Sequence, residues 1–162
     1  MNFAKGYEGE NLWKQHLESK GVKAEFSSRK GNKPVYWDVK DTDSGVKYEV
    51  KLDEKAMYWA RKQSRPPNLY IEYWSTTRDE KCGIYSLEAE YLVYIVKDSV
   101  DRAVTYDGYC FKVPQLIEHL EASDYKTKGN SMYGDDNAKG WVPPINSLIE
   151  NKSSGFVKCV SL

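Results

Sequence analysis

The sequence predicts an α/β (α+β) fold in which a central mixed β-sheet is flanked by helices. Three observations carry this. Phe3 and Tyr7, then Leu12, Trp13, His16 and Leu17, recur at three- and four-residue spacings and predict an amphipathic helix over Phe3 to Lys20. Val35, Trp37 and Val39, and then Val46, Tyr48, Val50 and Leu52, alternate with polar residues around the turn-forming Asp41 to Gly45, which predicts a hairpin. A second helical pattern, Val113, Leu116, Ile117 and Leu120, follows further strand-like runs. Helix, hairpin, strand, strand, helix is an order that places helices against a sheet.

Each element has a local cause. Gly21 ends the first helix as its C-terminal cap. Arg65-Pro66-Pro67-Asn68 breaks the chain ahead of a third strand, Leu69 to Trp74. Ser86 to Glu90 reads as a short helix or turn, and Tyr91 to Lys97 as a fourth strand. Asp107-Gly108 predicts a turn, and Pro114 suits the first turn of the second helix. Asp124 to Gly140 is polar and reads as a loop, with an edge strand over Phe156 to Leu162. At 162 residues, without repeats or a linker, one domain over 1–162 is expected.

Composition narrows the classes. Lys+Arg and Asp+Glu are both 24, so no net charge draws the chain to a polyanion, which would have to be met by a local patch. Two histidines argue against a His-rich metal site, and three cysteines without short spacing argue against a disulfide framework or a zinc site. The longest apolar run, Tyr91 to Val96, is far short of the ~20 residues of a membrane span. The start shows no secretory signal, so a cytoplasmic protein without a membrane partner is expected.

The informative stretch is Asp38 to Lys51. Residues two apart in a strand share a face, so Glu49 and Lys51 point one way while Tyr48, Val50 and Leu52 point into the core. If the two strands pair, Asp38 joins Glu49 and Lys51 on one polar face. Two carboxylates suit a hard divalent ion, and a lysine beside them can orient water and offset charge at a phosphate. Glu10 falls about 60° from Trp13 round the first helix, at the margin of its apolar stripe, where an acid usually has a partner. Each has an ordinary alternative: a cross-strand ion pair for Glu49 and Lys51, a helix-face charge for Glu10.

Together these residues resemble the PD-(D/E)XK nuclease superfamily, with its restriction-endonuclease-like core: Glu10, Asp38, Glu49 and Lys51 match a helix acid followed by a hairpin carrying Asp and then (D/E)-x-K. Asn68 to Tyr73, Gly83 to Tyr91 and Gly134 to Pro144 extend the likeness to a phage and bacterial, Holliday-junction-resolvase-like branch. Trp37 stands where the family name has proline. The resemblance implies hydrolysis of DNA phosphodiesters, with Mg²⁺ (or Mn²⁺) held by Asp38, Glu49, the Val50 carbonyl and Glu10, and Lys51 positioning water. Glu72 is a candidate for the same cleft. Arg29, Lys30 and Lys33, and Arg61, Lys62 and Arg65, are candidate DNA contacts; Tyr58 and Trp59 could stack on unpaired bases. A two-fold homodimer would present two sites to two strands. The competing readings are an inactive nucleic-acid-binding module of the same fold and an α+β protein-interaction domain with a tyrosine surface.

Overall fold

The computed structural model describes residues 3–28, 35–129 and 137–162. In chain order the elements are α1 (Phe3–Ser19), β1 (Ala24–Phe26), β2 (Val39–Asp41), β3 (Lys47–Asp53), α2 (Ala56–Lys62), β4 (Ile71–Ser75), β5 (Glu80–Lys81), β6 (Tyr91–Val100), β7 (Ala103–Lys112), α3 (Val113–Ala122), β8 (Thr127–Gly129), β9 (Ala138–Trp141), α4 (Ile145–Glu150) and β10 (Phe156–Ser161). The fold is α+β. A mixed six-stranded sheet runs β1-β2-β3-β6-β7-β10, and a second, four-stranded sheet runs β5-β4-β9-β8.

In the large sheet β3 and β6 pair in parallel while the other neighbours are antiparallel. A parallel pair needs a long crossover. Here that crossover carries α2, β4 and β5. The third predicted strand therefore lies in the second sheet rather than the central one. The Tyr91–Val96 run is apolar throughout because it is covered on both faces. Leu92, Tyr94 and Val96 pack with Phe111, Leu116 and Leu120, and Val93 and Ile95 pack with Trp13, Leu17, Val39 and Val50. The sheet thus separates two cores, one under α1 and one under the remaining helices and the second sheet.

Helix α1 sits close to its sheet face: a Cβ on Gly9 would lie 3.2 Å from the Leu52 Cβ. Its Glu8 accepts from Lys97 and Tyr106 and ties the helix to β6 and β7. Asp107-Gly108 is not a turn but lies within β7, where Gly108 lets the C-terminal Leu162 approach. The hairpin turn is at Asp101 and Arg102, both at positive φ, closing Val100 against Ala103. The expected loop over 124–140 contains β8 and part of β9, paired with each other and, through β9, with β4. Phe156–Ser161 forms an edge strand on β7, as the sequence predicts.

His119 on α3 is buried, with Nδ1 2.9 Å from Ser153 Oγ and Nε2 2.8 Å from Tyr125 Oη. Burial holds its imidazole below the ordinary 6.5. The unfolded chain therefore takes up a proton that the fold resists, and stability is lost as pH falls below that value. Between about pH 7 and about pH 5, Tm is expected to fall, and to fall less in His119→Gln. Thermal melts across that range check it.

Candidate active site

Asp38 precedes β2 and is held at three points. Its N–H donates to the Tyr48 carbonyl at 2.9 Å, and its own carbonyl accepts from Ser27 at 2.9 Å. Its Oδ2 accepts the Val50 N–H at 2.8 Å. The carboxylate is thus locked onto β3 beside Glu49. Parity along β3 sends Val50 and Leu52 under α1, and Glu49, Lys51 and Asp53 to the opposite face. There they stand level with Leu92, Tyr94 and Val96 of β6.

The Lys51 Nζ lies 3.2 Å from Glu49 Oε1. The two differ in setting: the Glu49 side chain is 12% exposed and that of Lys51 59%, its exposure opening into a cleft. Burial pushes the Glu49 carboxyl above its ordinary 4.5; Lys51 opposes the rise and Asp38 adds to it. Burial also works against the Lys51 ammonium, but Glu49, Asp38 and Glu72 outweigh it and hold the group above 10.5. Lys51 is therefore a fixed cation at neutral pH. The acids around it form a site that gains by taking up positive charge.

The cleft has a volume of about 1100 Å³ and lies between the large sheet, α2 and the second sheet. Its floor is braced by a hydrogen-bonded chain that the sequence reading missed. Asp53 Oδ1 accepts the N–H groups of Lys55 and Ala56, both at 2.9 Å, leading into α2. Its Oδ2 accepts from Tyr94 Oη at 2.7 Å, and that oxygen accepts the Tyr70 N–H at 3.1 Å. One aspartate thus fixes both the helix and the approach to β4 against β6. Its signal was an Asp just ahead of Ala56-Met57-Tyr58-Trp59-Ala60, a helix-starting position. Cys82 donates to Glu72 Oε1 at 3.3 Å; burial, then that carboxylate, pushes the thiol to about 11, so it is no nucleophile.

The structure brings Asp38, Glu49, Lys51 and Glu72 together, with Val50 supplying the N–H that anchors Asp38. Glu10 is half-buried on α1, the helix covering the other face of β3. Arg61 is paired with Asp98 through two contacts of 2.9 and 2.7 Å, which occupies the guanidinium. Lys62 lies over the Tyr58 and Trp59 rings. Arg65 lines the cleft, bonded to Gln63 and the Pro66 carbonyl. Arg29, Lys30 and Lys33 lie outside the described residues. Among the described residues no three of His, Cys, Asp and Glu gather tightly enough to enclose an ion. Among them, too, no helix is long and apolar enough to cross a membrane. Comparison with family models, curated proteins and solved structures returns no match.

Proposed function

We propose that the chain is a Mg²⁺- or Mn²⁺-dependent deoxyribonuclease that hydrolyses phosphodiester bonds, acting in a reducing, cytoplasmic setting of a bacterium or phage-infected host. The observation that carries this is the meeting of the Asp38 and Glu49 carboxylates beside the Lys51 ammonium, with Glu49 and Lys51 lining the cleft. A tyrosine-based interaction domain would leave Asp38 remote from the other two. The element order, a helix, strands bearing Asp38 and then Glu49-x-Lys51, and a further helix and strand, is the order the PD-(D/E)XK resemblance implies. The three cysteines are free thiols, which suits a reducing compartment.

The donor set fits a hard divalent cation. Mg²⁺ needs only one or two carboxylates and keeps several waters, so a pair of acids is enough. Asp38 and Glu49 would hold it. A bound cation of this kind supplies an acidified water and charge stabilisation at phosphorus. Lys51, held protonated, orients the attacking water and offsets charge on the phosphate rather than removing a proton. Glu49 foremost, then Asp38 and Glu72, keep Lys51 charged.

The test is cleavage of plasmid, single-stranded and four-way-junction DNA with Mg²⁺ or with EDTA. Cleavage in Mg²⁺ that chelation abolishes is expected, and chelation-insensitive cleavage removes the mechanism. Independently, saturating Mg²⁺ should raise Tm, since a ligand at about 100 times its Kd adds about 2.7 kcal/mol to the folded state. Glu49→Gln should lose that rise, as read by a thermal melt with and without the metal.

A further inference from the structure

The net charge of zero leaves open how such an enzyme would hold a polyanion, and the cleft walls answer it locally. The acids Glu49 and Glu72 lie with Lys51, and Asp53, Glu54 and Glu80 also line the cleft, while further cations stand against them: Lys55 and Arg65 on either side of α2, Arg78 and Lys81 around β5, and Lys128 in β8. Arg78 is paired with Glu80, at 3.2 Å, with both side chains more than half exposed. An exposed pair of this kind is worth little and gives way to a phosphate. Lys81 and Lys128 are exposed.

Aromatic side chains line the same cleft. Trp59 of α2 lines the cleft, and so does Tyr36, which is 38% exposed and whose backbone carbonyl is pinned by the Glu88 N–H at 3.0 Å. Duplex DNA is a broad convex rod that is met across open surfaces rather than inside a pocket. A concave site of about 1100 Å³ is close to the volume of a small-ligand pocket, with room for a few unstacked nucleotides. Aromatic platforms beside a cationic groove are the physical basis of single-strand binding.

We infer that the cleft takes an unpaired strand of DNA, stacking bases on Trp59 and Tyr36 and receiving phosphates at Arg78, Lys81 and Lys128. The choice of DNA rests on the nuclease reading above; the binding itself does not. The experiment is fluorescence anisotropy of a short fluorescein-labelled oligonucleotide of mixed sequence, single-stranded or annealed, titrated with the protein in EDTA. The single strand should bind at least about tenfold more tightly than the duplex. Trp59→Ala should weaken it about tenfold, the loss of one stacked base, and Trp59→Phe should restore most of that. Arg78→Ala/Lys81→Ala, both on exposed positions that leave the fold intact, should flatten the dependence of log affinity on log salt by about 1.4, or ~0.7 per phosphate. Equal or tighter binding of the duplex overturns the inference, as does wild-type affinity and salt slope in both the Trp59→Ala and double variants. A single strand that binds in EDTA but is never cut in Mg²⁺ removes the nuclease reading alone. Cleavage of duplex by a protein without single-strand preference removes this inference alone.

Discussion

Lys51→Ala is expected to lower Mg²⁺-dependent cleavage by about a hundredfold to a thousandfold, the usual loss when one preorganised electrostatic contact to a transition state is removed. Among the described residues it is the cation within ion-pair distance of Glu49, and three carboxylates hold it charged. Its removal acts twice. The phosphate loses a fixed positive charge, and Glu49 loses the group that opposes its rise in pKa. A higher Glu49 pKa means a protonated ligand over more of the pH range, so the variant should also need more Mg²⁺ and have an acid limb displaced to higher pH. Lys51→Arg keeps the charge but replaces a compact ammonium with a planar fork, and should not restore the rate. Single-turnover cleavage across pH and Mg²⁺ concentration checks this. A rate for Lys51→Ala within about threefold of wild type, well under one oxyanion contact, would leave Lys51 without a catalytic role.

The candidate site was largely legible because strand parity is a strict rule. Glu49 and Lys51 alternate with the buried Val50, so both had to face away from α1, and the five-residue turn Asp41 to Gly45 brings Asp38 back alongside. What parity could not give was the second wall of the cleft. Strand β4 pairs with β9, and Glu72 stands opposite Gly140, a contact far apart in sequence that no local pattern encodes. Two of the strands completing that sheet, β5 and β8, are three residues or fewer and polar, hence invisible to periodicity. Asp107-Gly108 misled for a related reason: its glycine answers to Leu162 pressing on β7, a tertiary demand, while the real turn at Asp101-Arg102 contains no glycine. The basic residues after β3 show that charge alone does not reveal partners. Arg61 faces Asp98, and Arg78, Lys81 and Lys128 came into view only once the second sheet was placed.

Gly83→Ala is expected to be the most damaging single substitution near the site, costing about 2–5 kcal/mol. Two effects add. Gly83 has φ of +58°, which costs an alanine roughly 1–2 kcal/mol by itself. A Cβ there would also lie 2.2 Å from the Glu72 carbonyl oxygen and 2.7 Å from its carbon. Those are backbone atoms of β4, so relief requires moving the strand, at about 1–3 kcal/mol or more. The same strand carries Glu72 and, through the Cys82 N–H on the Tyr73 carbonyl at 3.0 Å, is tied to the turn that follows. Gly21 provides the control. Its φ is +78° but a Cβ would meet nothing within 4 Å, so Gly21→Ala should show the conformational cost alone. Asparagine separates the effects further, because it tolerates positive φ better than alanine yet brings the same Cβ. Gly83→Asn should therefore remain almost as destabilised as Gly83→Ala. With about 2–4 °C of Tm per kcal/mol in a chain of this size, Gly83→Ala should melt about 4–20 °C below wild type. A full rescue by asparagine would assign the cost to φ and leave β4 unclamped; a persistent loss makes Gly83 the point where the second sheet is pressed against the turn that closes the cleft.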